Sequence, residues 1–236
     1  MPDFGLRPLS AIPDMIEPAG QADAGWDLRE ATVVSLTFEL RKEQALELLP
    51  DSLIRPVPAY AKIIVLDASG PQGAYREASL FVGAREGVQI RNVLVDSIVH
   101  KGAGLAEARA AFGGGRRAGT VELNITPSAV TVAIADSAGP LCEVRMGALR
   151  RCDATMLKFD ALLVPGLAAG IPALLRYGVR VPLGEVEGTL SRDWEVRMTR
   201  RASAWHALRP AYNVTAFLSH GAARIEAAHA PEAIAR

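Results

Sequence analysis

The chain has 236 residues, half of them hydrophobic, with 26 basic and 26 acidic side chains. That length and apolar share can build a sizeable core in one β-rich domain, and the balanced charge excludes a strong field drawing the protein to nucleic acid or an anionic membrane. Two cysteines, Cys142 and Cys152, offer neither a disulfide framework nor metal-ligand spacing and read as reduced thiols.

Residues 1–28 are rich in Pro, Gly and Asp and read as an irregular lead-in. The start, MPDFGLRPLSAIPDM, lacks a basic region followed by an apolar one, so a cytoplasmic protein is expected. Residues 31–40 alternate, with Val34, Leu36, Phe38 and Leu40 on one face of a strand. Residues 41–50 have helical spacing and stop at Pro50. Strands follow at 59–70, 74–84 and 88–99; in the second, Tyr75, Glu77, Ser79 and Phe81 share a side. Residues 104–112 suit a short helix closed by glycine. Residues 120–134 read as strand, Pro-containing turn, strand; 141–146 and 184–198 add further strands. Residues 160–181 are strongly apolar, but Pro165, Gly166, Gly170 and Pro172 interrupt them, so a buried, bent connection is expected rather than a membrane span, with peripheral contact to lipid or a partner as the alternative. The tail from Ala222 is Ala-rich and reads as a terminal helix or a frayed end. No internal repeat or low-complexity linker divides the chain. Many short strands with a few helices predict one mainly β (α+β) domain, a β-barrel or double sheet with peripheral helices.

The stretch AAFGGGRRAG (110–119) sets three glycines against two arginines. It is no phosphate loop, because it lacks the Lys-Ser/Thr ending and leads into a strand instead of opening a helix. On residue types alone it is either a flexible turn with solvated arginines or an anion-binding loop.

The order of its neighbours adds to this. LLPDSLIRP precedes a strand, Gly73, Tyr75 and Glu77 sit in the next, and a helix then leads to Gly114-Gly115-Arg116-Arg117-Ala118-Gly119. This succession resembles the acetoacetate decarboxylase superfamily, over roughly residues 30–165; MLKFDALLVPG (156–166) looks like a further family segment. The resemblance implies the family's barrel, a buried cavity, and frequent assembly into homo-oligomers, for which the apolar 160–175 segment is a candidate interface; no cofactor and no metal are expected. It implies that Glu77 is a cavity carboxylate. In the family a lysine pair stands where Arg116 and Arg117 stand here; the first lysine forms an imine with a ketone, its pKa lowered by the second and by the cavity. A guanidinium stays protonated and forms no such imine. Arg116 and Arg117 can instead hold a carboxylate or an enolate oxygen, with Gly115 letting the backbone turn close to the ligand.

Lys62 stands in an apolar strand, at the offset from Glu77 where the family places another cavity carboxylate. It is either a desolvated cavity lysine acting as nucleophile or base, or a surface lysine whose stem covers the barrel. Tyr75 is either core or a hydrogen-bond donor to a ligand. His100 is either a base or a strand-end residue in solvent. His206, His220 and His229 share no metal spacing. The expectation is therefore a protein binding a small β-keto or 2-oxo acid, or a β-dicarbonyl, with lyase-type enolate chemistry. Glu77, Arg116 and Lys62 are its candidate catalytic residues, and Arg117, Tyr75 and Gly115 its candidate binding residues. The alternative is a non-catalytic binding barrel.

Overall fold

A computed structural model describes residues 2–17, 26–70, 73–153, 162–177, 179–180, 187–201 and 203–225. In chain order it contains a short 3-10 turn (Leu9–Ala11), β1 (Trp26–Glu39), α1 (Lys42–Leu48), β2 (Tyr60–Gly70), β3 (Gly73–Glu86), β4 (Gln89–His100) and α2 (Leu105–Phe112). Then come β5 (Arg116–Ile125), β6 (Val130–Asp136), β7 (Gly139–Cys152), β8 (Leu162–Ala168), β9 (Ile171–Tyr177), β10 (Val179–Arg180), β11 (Glu187–Met198), α3 (Ala204–Ala207) and β12 (Tyr212–Ile225).

The mainly β expectation holds. All strands belong to one mixed sheet in the order β3-β2-β1-β12-β11-β7-β6-β5-β4-β8-β9, with β10 on β12, and β3 also pairs with β4. That last pairing closes the strands from β3 round to β4 into an irregular barrel. Among the described residues two strand pairings are parallel, and both use β4: Ser97–His100 lie beside Arg116–Gly119, and Asn92–Val93 beside Leu162–Leu163. Between these two stretches β4 bulges against β3, with a register shift at Leu80/Phe81.

Period-2 alternation sorts the apolar residues into two cores. Val34, Leu36, Phe38, Ile63, Val65, Leu80, Val132 and Val144 fill the inside of the barrel. Their neighbours Val33, Leu66, Phe81 and Val99 face outward and are covered by Phe112 of α2, Val164 and Leu175 of the β8–β9 hairpin, and Ile225. Each large side chain so buried contributes about 1.5–3 kcal/mol. The second, outer core holds the candidate site.

Several boundaries differ from expectation. β1 begins at Trp26, inside the presumed lead-in. β5 begins at Arg116, so the arginines belong to a strand, not to the loop before it. Residues 162–177 form a β-hairpin, not a bent connection: Pro165 and Pro172 lie within it because, among the described residues, β8 pairs with β4 at Leu162–Leu163 and not beyond, leaving its far edge without a ladder to break. The sequence does not announce β12; Ala222 and Ala223 lie within this strand, which runs on to Ile225, instead of starting a helix. The rest of the tail (226–236), and 156–161 of the family-like segment, lie outside the described residues. Among the described residues, no helix is long and apolar enough to cross a membrane.

Candidate active site

Strand register assembles the site. Tyr75, Glu77 and Ser79 alternate onto one face of β3. Ser79 stands opposite Ser97 on β4, and Ser97 stands opposite Arg116 on β5. Four polar side chains from three strands therefore surround Glu77. Tyr75 Oη donates to its Oε2 at 2.6 Å, and Ser79 Oγ donates to its Oε1 at 2.8 Å. Ser97 Oγ also donates to Oε1, and lies 3.0 Å from Ser79 Oγ. Arg116 Nε lies 3.0 Å from the same Oε1.

Glu77 and Arg116 are 6% and 2% exposed, so this is a fully desolvated ion pair. Burial pushes the Glu77 carboxyl up. The Arg116 charge and the hydroxyls of Ser97, Tyr75 and Ser79 outweigh it and hold the group below the usual carboxylate value. Arg116 is held from behind as well. Its Nη1 lies 3.4 Å from the carbonyl oxygens of Phe112 and Gly113, at the end of α2, where the helix dipole favours a cation. Its guanidinium carbon sits 5.5 Å from the Phe112 ring centroid. Trp26 packs edge-on against both Tyr75 and Phe112, which fixes these rings.

The pair lines a cavity of about 40 Å³ walled by Ile64, Leu66, Phe81, Phe112, Leu162 and Ile225. The chemistry on offer is that of a charged arginine and an ionised carboxylate in an apolar chamber: carboxylate or oxyanion binding, and proton transfer if Glu77 is released from its donors.

The remaining expected site residues lie elsewhere. Arg117 follows Arg116 on a strand and so points to the other face. There it forms a fork with Asp96, Nε to Oδ1 at 3.0 Å and Nη2 to Oδ2 at 2.7 Å, and also donates to Asp136. Asp136 is chelated by Arg200 at 2.6 and 2.5 Å, and Asp96 accepts from Trp205 Nε1 at 2.8 Å. The expectation that both arginines hold one anion thus meets a simple obstacle, strand alternation. Lys62 shares the outward face with Ile64 and Leu66 but does not line the cavity; its Nζ lies 5.8 Å from the Tyr60 ring centroid. Gly115, at φ +77°, lines a different cavity with Arg117. His100 Nδ1 accepts from the Val121 N–H at 3.0 Å, which makes it part of the β4–β5 junction.

Ser79 and Ser97 join the site in addition to the residues that the sequence marks as candidates. The alternation that placed Ser79 beside Glu77 was a usable signal; Ser97 needed the β3–β4 register. The glycines also gained a role. A Cβ on Gly114 would come within 1.6 Å of the Asp14 carbonyl oxygen, so this glycine lets the N-terminal segment cross the loop. Among the described residues, no group of three His, Cys, Asp or Glu side chains is placed to hold a metal ion.

No protein-family model matches the chain, and no curated protein sequence does. Solved structures do. An acetoacetate decarboxylase from Legionella pneumophila superposes with a TM-score of 0.74 at 12% identity, over 98% of each chain. Another acetoacetate decarboxylase structure gives 0.71 at 14% identity, over 92% of this chain and 93% of that one. The enduracididine biosynthesis enzyme MppR, in complex with pyruvate, gives 0.70 at 11% identity, over 93% of both. The chain has the acetoacetate decarboxylase-like fold.

Proposed function

We propose that this protein is a divergent acetoacetate decarboxylase-like protein that binds a small keto acid or β-dicarbonyl at Arg116 and works on it through an enolate, without an imine. One observation carries the reading: Arg116, at the position where the resembling family has its first lysine, is buried against Glu77 on the wall of an apolar chamber. A guanidinium there cannot condense with a ketone, but it can hold a carboxylate in two hydrogen bonds or stabilise an oxyanion.

The ion pair also supplies a trigger. With Arg116 beside it, Glu77 is a poor base, because its carboxyl is held below the ordinary value. An anionic ligand on Arg116 draws the guanidinium away and sets a second negative charge near Glu77. Both changes raise the carboxyl's proton affinity, so Glu77 becomes a base when substrate is present. It then takes a proton from the carbon next to the keto group, and Arg116 stabilises the enolate oxygen. Carbon–carbon or carbon–oxygen lyase chemistry proceeds from that enolate. Tyr75, Ser79 and Ser97 fix the carboxylate and serve as positioning residues. Arg117, Gly115 and Lys62 have no part in this step.

A second reading, a non-catalytic binding barrel, is favoured by the saturation of Glu77, whose oxygens already accept from Tyr75, Ser79 and Ser97; the chamber's size bears on both readings alike. About 40 Å³ holds one or two waters, so a keto acid requires the walls to move.

Proton exchange separates the two. In deuterated buffer, the protein should exchange the methyl protons of pyruvate, or the methylene protons of acetoacetate, faster than buffer does. Glu77→Gln should remove that exchange while circular dichroism reports a retained fold. Ligand binding by calorimetry without exchange selects the non-catalytic barrel. Absence of both sinks the site assignment. Borohydride trapping should give no adduct with either compound; an adduct at Lys62 would restore the imine route at a new position.

A further inference from the structure

A second cavity, of about 250 Å³, lies in the gap that β4 leaves between its two parallel partners, β8 at Asn92–Val93 and β5 at Ser97–His100. Its floor is the bulged stretch Leu94–Asp96, and its roof is the N-terminal segment, through Arg7, Ile12 and Pro13. It shares no lining residue with the Glu77 chamber.

The charges around it leave one group over. Asp96 is taken by Arg117 and Trp205, and Asp136 by Arg117 and Arg200. Asp14 lies 3.7 Å from Arg109. Arg7 is half-buried, burial lowers its pKa, and among the described residues no carboxylate reaches its guanidinium. Its position is nonetheless fixed. The Arg7 N–H donates to the Leu49 carbonyl at 3.1 Å, and its carbonyl accepts from the Asp51 N–H at 2.9 Å. The segment is held further on by the Leu167 N–H, which donates to the Ile16 carbonyl at 3.1 Å. A half-buried cation on an anchored backbone, facing a cavity with Ile12, Leu94 and Pro165 as apolar wall, is what an amphipathic anion needs.

We propose that this cavity binds a small organic monocarboxylate, its carboxylate on the Arg7 guanidinium and its short carbon chain against Ile12, Leu94 and Pro165. The site is separate from the one proposed above and does not depend on that reading. Hexanoate is a suitable probe, with hexanamide as its uncharged counterpart, each titrated while backbone amide NMR signals are followed. Hexanoate should give saturable shifts at Ile12, Leu94 and Asp96. Arg7→Gln should weaken it by at least about tenfold, the loss of a charge-assisted pair, and leave the rest of the spectrum unchanged. Hexanamide should bind no better than hexanoate does to Arg7→Gln. The proposal fails if hexanoate gives no saturable shift, or if hexanamide or the Arg7→Gln protein binds equally well. It also fails if the shifts centre on Ile64, Phe81 and Leu162 and disappear in Arg116→Met, which would assign the ligand to the Glu77 chamber.

Discussion

Arg116 and Arg117 are neighbours in sequence, yet they occupy two different electrostatic worlds. Arg116 points outward into the second core, is almost fully buried, and meets the Glu77 carboxylate, which three hydroxyls also hold. Arg117 points to the other side, is 36% exposed, and belongs to a chain of charges running from Asp96 through Asp136 to Arg200. The same residue type is thus half of a desolvated ion pair in one place and a partly solvated clamp in the other. Strand alternation sets the faces, and the packing of α2 and the β8–β9 hairpin sets the dielectric.

The sharpest way to break this contrast is to remove one partner from each arginine. Glu77→Leu takes the Glu77 carboxylate away from a buried arginine charge and should cost about 3–5 kcal/mol in urea unfolding. Adding Arg116→Met to Glu77→Leu should recover most of that loss. It should stop short of wild type, because Tyr75 loses its acceptor while Ser79 and Ser97 can turn to each other. If the double variant is no more stable than Glu77→Leu, the two residues are not an energetic pair.

Arg117→Ala should cost less, about 1 kcal/mol, since Asp96 keeps Trp205, Asp136 keeps Arg200, and solvent screens the site. Its cost should shrink as salt is added, while the Glu77→Leu cost should not. Equal salt dependence for both would contradict the distinction drawn between the two faces.

The smallest effects are in pH. Glu77 is held below its ordinary value, and so is Asp136, by the hydrogen bonds from Arg200 and then Arg117 against the upward push of burial. Folded carboxyls with depressed pKa values add stability that is complete above the unfolded carboxylate value near 4 and is lost as pH falls through the folded values. A shallower loss is expected earlier. Burial, then the charges of Arg76 and Lys101, lower the His100 pKa from 6.5. The unfolded chain therefore binds that proton first, and stability declines as pH falls below about 6.5. His100→Gln should flatten this first step and leave the acid limb unchanged; an NMR titration should find His100 still neutral just below that pH.

Much of the site could be read along single strands. The alternation Tyr75-x-Glu77-x-Ser79 placed three of its polar groups together, and the apolar neighbours marked the strand as half-buried. What could not be read was set by pairing between strands. Ser97 reaches Glu77 only through the β3–β4 register, and no local signal states that register. Taking residues 113–119 as one loop hid the β5 start at Arg116, and with it the split of the two arginines. β12 was missed because Asn213, Thr215 and Ser219 dilute its apolar pattern; its partners β1 and β11 supply the burial that its own sequence understates. The hairpin at 162–177 was hidden by prolines that an interrupted edge tolerates.

The pairing of β1 with β12 has a consequence for biosynthesis. Trp26 lies beside Ile225, and the two strands run together to Glu39 and Tyr212. While the chain is being made, β1 can find β2 at once, but its other edge waits until the strand at 212–225 has left the ribosome. During that interval a long strand with alternating apolar residues stands with unpaired backbone groups, open to another nascent copy. Closing the barrel is then among the last events of folding, and its rate is bounded by a contact spanning almost the whole described chain.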